Sequence, residues 1–314
     1  MQMTALIAHT EEALQRLINC FAHACSEFGL TISLKKTNIL VQDVSSTPSI
    51  SVGDYTLEAV ENFTYLGSSI SSNLSLDAEL NKRIGKAATA MARLEKRVWD
   101  NSMLTICTKM KVYQACVLST LLYGSETWTL YSHQERRVNS FHLRCLRRIL
   151  GITWQDRVPN KNILAQAGIP SIFALLSQRR LRWLGHVSRM QEGRLPKDML
   201  YGELATGTRP ASRPVLRYKD VCKRDLKAGS INPTGWETVA ANCSSWKLAV
   251  KAGIQSSEQR REKQWDERKE RRQQRAASTP TEPGVDFICS NCNRDCRSRI
   301  GLYNHSRHCN STTD

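Results

Sequence analysis

Residues 11–28 carry apolar side chains at Ala13, Leu14, Leu17, Ile18, Phe21, Ala24 and Cys25. That spacing marks one face of a helix, and Gly29 makes a natural stop. The period then changes. Leu30-Thr-Ile-Ser-Leu34 alternates as a strand does and runs into Lys35-Lys36-Thr37. Asn38–Val41 predicts a second short strand, and Ile50–Val52 with Tyr55–Val60 predicts a hairpin turning at Gly53-Asp54. Phe63–Gly67 closes this small α+β unit.

Beyond residue 67 the pattern is helical. Leu76, Leu80, Ile84, Ala87, Met91, Leu94 and Val98 form one stripe, with Ser75 placed as N-cap and Asp77 and Glu79 in the first turn. Arg83 falls among the basic residues assigned to the other faces. Residues 109–123 are apolar nearly all round, which predicts a buried helix ending at Gly124. Ser132-x-x-Glu135 reads as a capping box opening a helix that buries Val138, Phe141, Leu146, Ile149 and Leu150 and ends at Gly151. A short helix to Gly168 follows, and then a helix capped by Ser171 with Leu175, Leu176, Leu181, Leu184 and Val187 inside. Residues 206–214 read as a linker. Residues 215–252 are weakly helical, with Trp236 and Trp246 as anchors, and 254–275 form a charged helix or disordered arm. Residues 276–284 are a Thr- and Pro-rich spacer.

Charge adds a partner to this outline. The chain has 45 Lys and Arg against 29 Asp and Glu, a net charge of +16, and a field of that size favours polyanions, nucleic acid above all. The outward positions of two successive helices are Arg137, Arg144, Arg147 and Arg148, then Arg179, Arg180 and Arg182. Arg suits phosphate because its planar fork matches two oxygens at once. RNA or DNA, held mostly through phosphates, is the expected partner. No apolar run approaches the ~18 residues of a membrane helix, and no signal-peptide pattern opens the chain. Membrane is therefore not an expected partner, and the expected location is intracellular, nucleus or cytoplasm. The 11 Cys are scattered outside one cluster, which argues for reduced thiols.

That cluster lies in F-I-C-S-N-C-N-R-D-C-R-S-R-I-G-L-Y-N-H-S-R-H-C, residues 287–309. Cys289 and Cys292 form a C-x2-C knuckle, and His305 and Cys309 complete the ligand spacing of a ββα zinc finger. His308 is an alternative fourth ligand. Phe287, Cys296 and Leu302 supply a core too small to fold alone, so one structural Zn²⁺ is expected to supply the rest. Helix numbering puts the base-reading positions at Ser298, Gly301 and Asn304. Gly301 has no side chain to read with, while Arg297, Arg299 and Arg307 are placed for phosphates. His9, His23, His133, His142 and His186 have no partner at a diagnostic spacing.

Several stretches, in order, resemble one family. Ala5-Leu-Ile-Ala8, Gly29-Leu-Thr-Ile-Ser-Leu-Lys-Lys36-Thr37 and Phe63-Thr-Tyr65-Leu66-Gly67 are similar to the end of the palm in reverse transcriptases of non-LTR (LINE-type) retrotransposons. Thr120-Leu-Leu-Tyr-Gly-Ser-Glu-Thr-Trp128, Arg144-Cys-Leu-Arg-Arg-Ile-Leu-Gly151 and Arg182-Trp-Leu-Gly-His186 resemble the thumb and the region after it. The resemblance implies a mainly α chain with a partial palm remnant over 1–67, thumb-like helices over 68–130 and a basic helical region over 131–205. A linker and charged tail over 206–284 and the finger over 285–311 complete it. It also implies that Lys36 matches the lysine of the family's Lys-Thr motif, a proposed proton donor to pyrophosphate. Tyr65, Leu66 and Gly67 match its primer grip.

Where the family carries an Ala-Asp-Asp motif, this chain has Met1-Gln2-Met3-Thr4. Polymerisation needs metal ions held by paired carboxylates, so the chain alone is not expected to polymerise DNA. Other readings are a sequence-specific DNA-binding zinc-finger regulator, a polymerase subunit completed by another chain, and the product of a decayed mobile element without a role.

Overall fold

The computed structural model describes residues 4–42, 47–202, 215–278, 287–296, 298–307 and 309. The chain divides into two compact units, residues 1–260 and 261–314. The architecture is mainly helical, with three two-stranded sheets confined to residues 38–71. Among the described residues, no helix is long and apolar enough to cross a membrane.

In the first unit, α1 (Glu11–Glu27) begins where Thr10 Oγ1 accepts the Ala13 N–H at 3.2 Å, and the chain turns away at left-handed Gly29. Its Ile18 packs into a small core with Ile39, Ile50 and Leu57. Gln15 does the work of a neighbouring strand: its amide oxygen accepts from Ser51 N at 2.9 Å and its amide nitrogen donates to Ser51 O at 2.8 Å. The strand expected over 30–34 does not form. Its alternation has no strand to pair with, Leu30 is 62% exposed, and Leu34–Lys36 instead makes one 3₁₀ turn. The later strands do form. β1 (Asn38–Ile39) is followed by the tight hairpin of β2 (Ser51–Val52) and β3 (Tyr55–Thr56), turning at left-handed Gly53. β4 (Glu58–Ala59) then pairs in parallel with β1, and β5 (Asn62–Tyr65) pairs antiparallel with β6 (Ser68–Ser71).

A continuous apolar core follows. It is enclosed by α2 (Asp77–Arg93), α3 (Ile106–Val112), α4 (Ser119–Leu121), α5 (Ser132–Leu150), α6 (Asn160–Ala167) and the first half of α7 (Ile172–Ser188). Leu80, Trp99, Tyr113, Leu121, Val138, Leu146, Ile163 and Leu176 all contribute, so residues 80–176 share one core. Two stretches carry π register, Glu95–Trp99 and Tyr113–Leu118, the second joining α3 to α4. In each, the following N–H reaches five residues back, Asp100 to Glu95 and Ser119 to Gln114. Glycines with positive φ end three segments, at Gly124, Gly151 and Gly168. Ser171 caps α7 as expected, its Oγ accepting from Ala174 N at 3.2 Å. The start of α5 differs. Tyr131 is the N-cap, and the Gln134 amide oxygen accepts its N–H at 3.1 Å, because Glu135 is drawn instead to Arg224.

The second half of α7 meets α9 (Tyr218–Ala228), α10 (Trp236–Ala241) and the start of α11 (Cys243–Ser278) in a further core; α8 (Leu195–Tyr201) adds Leu200. Trp246 is almost fully buried, and its indole N–H donates to Leu181 O at 2.9 Å. Gly185 makes room for it: a Cβ there would stand 2.1 Å from the indole nitrogen. Both expected anchors, Trp236 and Trp246, are core residues with ring centroids 5.7 Å apart.

In the second unit, residues 261–275 of α11 are exposed throughout. A β-bridge between Ile288 and Asp295 precedes α12 (Arg299–Ser306), whose first turn is capped by Ser298 Oγ accepting from Gly301 N at 3.0 Å. Of the spacer expected over 276–284, residues 276–278 continue α11, while 279–284 and the linker expected over 206–214 lie outside the described residues.

Candidate metal centre and basic surface

The metal ligands are assembled by two local devices. The Ile288–Asp295 bridge, with Cys296 N donating to Phe287 O at 2.9 Å, folds residues 287–296 into a loop. Within it Asn293 adopts φ 53° and donates to Cys289 O at 2.8 Å, tightening the C-x2-C knuckle. α12 then presents His305 to the knuckle, and Cys309 follows. The three Sγ atoms and one imidazole nitrogen lie within 4.8 Å of one another. Two sulfurs bound to tetrahedral zinc at about 2.3 Å stand roughly 3.8 Å apart; Cys289 and Cys309 are separated by 3.8 Å. Cys292 Sγ lies 3.0 Å from His305 Nε2. The donor set could hold one metal ion and is compatible with zinc.

Electrostatics within the cluster ask for a cation. Backbone N–H groups of Asn291 and Cys292 aim at the Cys289 sulfur and lower its pKa. Cys309 is pushed up to about 11, first by the Cys292 thiol and then by burial. A bound cation reverses that second shift by answering the accumulating thiolate charge. Gly301 has a structural reason as well: a Cβ there would lie 2.3 Å from Cys296 O. The position that would read a base faces the backbone of the 287–296 loop. Arg299 is exposed, and the Arg307 guanidinium sits 5.6 Å from the Tyr303 ring centroid. His308 and Arg297 lie outside the described residues.

The stretch matched to the primer grip is the β5–β6 turn. Leu66 and Gly67 both take positive φ, 47° and 86°, the twist that suits a two-residue hairpin. Two separated sequence motifs meet here, since the Tyr123 hydroxyl donates to Leu66 O at 2.9 Å. Beneath the turn lies a buried ion pair that the helical stripe had assigned to the surface. Arg83 Nε is 2.6 Å from Glu79 Oε1, Arg83 Nη2 donates to Gly67 O at 2.5 Å, and the guanidinium stacks 4.4 Å from the Tyr123 ring centroid. Glu79 Oε2 accepts from Ser69 N at 2.6 Å. The signal was present in the spacing: 76, 79, 80, 83 and 84 are one helix face. Lys36 is exposed on the 3₁₀ turn.

The arginine faces divide. Arg137 bonds Asn81 Oδ1 and stays exposed, as do Arg144 and Arg182. Arg147 donates to Val158 O and Asn160 Oδ1, while Arg148 pairs with Glu95 and Asp100 at 2.8 Å each. Arg179 donates to Leu122 O and faces Glu126 at 3.9 Å. Arg180 is a correction: it is 1% exposed, with Nε 2.7 Å from Asp225 Oδ2 and Nη2 3.9 Å from Glu135. It points inward because it continues the four-residue ladder Ile172, Leu176, Arg180, Leu184, and it ties α7 to α9 and α5. Its position is closed to phosphate.

Two further buried polar groups have no counterpart in the expected site. Tyr113 Oη and His142 Nδ1 are 2.7 Å apart, and burial lowers the His142 pKa to about 4.

A Caenorhabditis elegans protein described as transposon-derived is 26% identical to this chain over 265 residues, covering 80% of this chain and 94% of that protein. No protein-family model and no solved structure matches the chain.

Proposed function

We propose that this chain is a zinc- and nucleic-acid-binding segment of mobile-element origin, related to the palm end, thumb and following region of a non-LTR retrotransposon reverse transcriptase. The observation that carries the zinc-binding part is the convergence of Cys289, Cys292, His305 and Cys309 in a chain of net charge +16. The transposon-derived relative, aligned over nearly its whole length, supports the origin, and the ordered motifs support the family. When bound, zinc supplies folding free energy, on the order of 10–16 kcal/mol in modules of this kind. The chain's own residues do the rest. Arg299 and Arg307 offer the finger's charge to phosphate, and Arg137, Arg144 and Arg182 offer that of the helices. With Gly301 closed off by Cys296 O, the finger grips nucleic acid without reading it.

Binding to RNA or DNA then weakens linearly in log–log form as salt rises and shows little sequence preference. Affinity that persisted unchanged into high salt, or a sharp motif selected from random duplexes, would overturn this reading. The chain alone does not extend a primer; templated incorporation of nucleotides by the purified protein on a primed RNA would refute that part.

A further inference from the structure

α5 ends beside a cleft of about 620 Å³ whose lining includes Arg144, Arg147, Arg148, Trp154 and Arg157 together with Ile152 and Val158. We propose that this cleft seats single-stranded nucleic acid, one unpaired base stacking on Trp154 while neighbouring phosphates engage Arg144 and Arg157. The inference rests on the nucleic-acid-binding reading above and assigns it a place.

Three observations select this cleft. The first is the indole. Trp154 is 83% exposed, whereas Trp99, Trp128, Trp236 and Trp246 are core residues. A single exposed aromatic is ordinary, but this one is held in position. Thr153 N–H and Oγ1 both donate to Asp156 Oδ2, at 2.6 and 2.8 Å, and Arg157 N donates to Trp154 O at 3.3 Å. Trp154 therefore rides on a closed turn, and Arg157 is turned by a left-handed φ of 48°.

The second is the charge. Arg148 is answered by Glu95 and Asp100. Arg147 is anchored only by neutral oxygens, which fix its direction and leave its charge. The Arg144 and Arg157 side chains make no hydrogen bond or ion pair among the described residues. The nearby Asp156 carboxylate, held by Thr153, keeps its negative charge. Three guanidinium groups against that one carboxylate leave the wall net positive, which favours a polyanion.

The third is the pairing of those two features. Aromatic faces beside tracking cations form the stacking platform of single-strand binding, and every base has a face to offer. A duplex cannot use the indole without unstacking a base, which costs a few kcal/mol. Phosphate alone would use the arginines and ignore it.

The test is fluorescence anisotropy with the full chain, using labelled oligo-U and oligo-dT of about 12 nucleotides, within the ~4–16-nucleotide sites typical of such platforms, and a matching duplex. Trp154→Ala is expected to weaken single-strand binding about 5- to 150-fold, the loss of one stacked base, with duplex binding changed less than about twofold. Trp154→Phe should restore most of it, and the exposed site leaves folding undisturbed. Arg144→Ala with Arg157→Ala should lower the single-strand salt slope by about 1.4, two contacts at ~0.7 each. Oligo-U and oligo-dT binding about equally would mark the 2′-hydroxyl as unused, consistent with stacking. Single-strand affinity unmoved by Trp154→Ala, equal losses on duplex and single strand, or an unchanged slope would each overturn the seat. Wild-type chain that binds neither probe would instead remove the nucleic-acid reading beneath it.

Discussion

The buried pair under the β5–β6 turn sets a measurable stability. Glu79 and Arg83 side chains are 2% and 5% exposed, so removing one strands the other's charge away from water. Breaking such a pair typically costs about 3–5 kcal/mol. The two single variants should not be equal. In Glu79→Ala the guanidinium keeps Gly67 O and the Tyr123 face, a contact worth up to about 2 kcal/mol when dry; the expected cost is near 3 kcal/mol. In Arg83→Ala the carboxylate keeps only Ser69 N–H, and the space under Tyr123 empties, so the cost moves toward about 5 kcal/mol. The double variant leaves only two neutral orphans, Ser69 N–H and Gly67 O, at about 1–3 kcal/mol each. It should therefore cost about 4 kcal/mol rather than the ~8 of the sum, a coupling of about 4 kcal/mol, just above the ~0.5–3 kcal/mol usual for contacting residues. Urea unfolding monitored by tryptophan fluorescence reads the three values, and amide exchange at Ser69 reports whether the turn has opened. Single variants costing under about 1 kcal/mol, or a double equal to the sum of its singles, would refute the buried-pair account.

Metal removal should separate the two units: chelation, or Cys289→Ala, is expected to abolish stoichiometric zinc and melt α12 while leaving the unfolding midpoint of residues 1–260 in place. Zinc measured by elemental analysis beside circular dichroism checks both halves of that statement. Burial holds the His142 pKa at about 4 against an ordinary value of 6.5. Between those values the unfolded chain binds a proton that the folded chain refuses, so stability falls as pH drops through the window, by up to about 3 kcal/mol. A His142→Phe variant should lose that slope when urea midpoints are compared across pH. Gly185→Ala sets a methyl 2.1 Å from the Trp246 nitrogen and 2.4 Å from its Cδ1, with an expected loss of about 1–3 kcal/mol. An unchanged thermal midpoint would show that the indole has somewhere else to go.

What could be read from the residues alone follows the range of the interactions. The Cys289–Cys309 cluster was legible because all its ligands and its turn fall within 23 residues, 287–309, and metal chemistry dictates the spacing. Gly53, Gly124, Gly151 and Gly168 marked their turns because a backbone conformation that L side chains avoid names its own residue. Leu30–Leu34 misled because alternation describes half of a strand, and the other half is a partner. Arg83 and Arg180 misled for the opposite reason. Charge suggested surface while the four-residue ladder placed both inside, and only their partners, Glu79 and Asp225, decide between charge and position. Residues 215–252 looked weak because their burial is supplied from α7, through Gly185 and the indole of Trp246.

The π register at Tyr113–Leu118 governs phase. Each residue of an α-helix advances the azimuth by about 100°, and a π turn absorbs one residue that an α-turn would have spent on rotation. Tyr123 stands just after that segment. The bearing that brings its hydroxyl to Leu66 O and its ring under Arg83 is inherited from the widened turn, some two coils upstream. Drawing 113–118 into ordinary α register with every residue kept would swing Tyr123 about a quarter-turn off its target, whereas excising one residue together with the bulge would leave its bearing in place. The clasp on the hairpin is thus timed from inside the core, by a segment that touches the hairpin nowhere along its own hydrogen-bonded ladder.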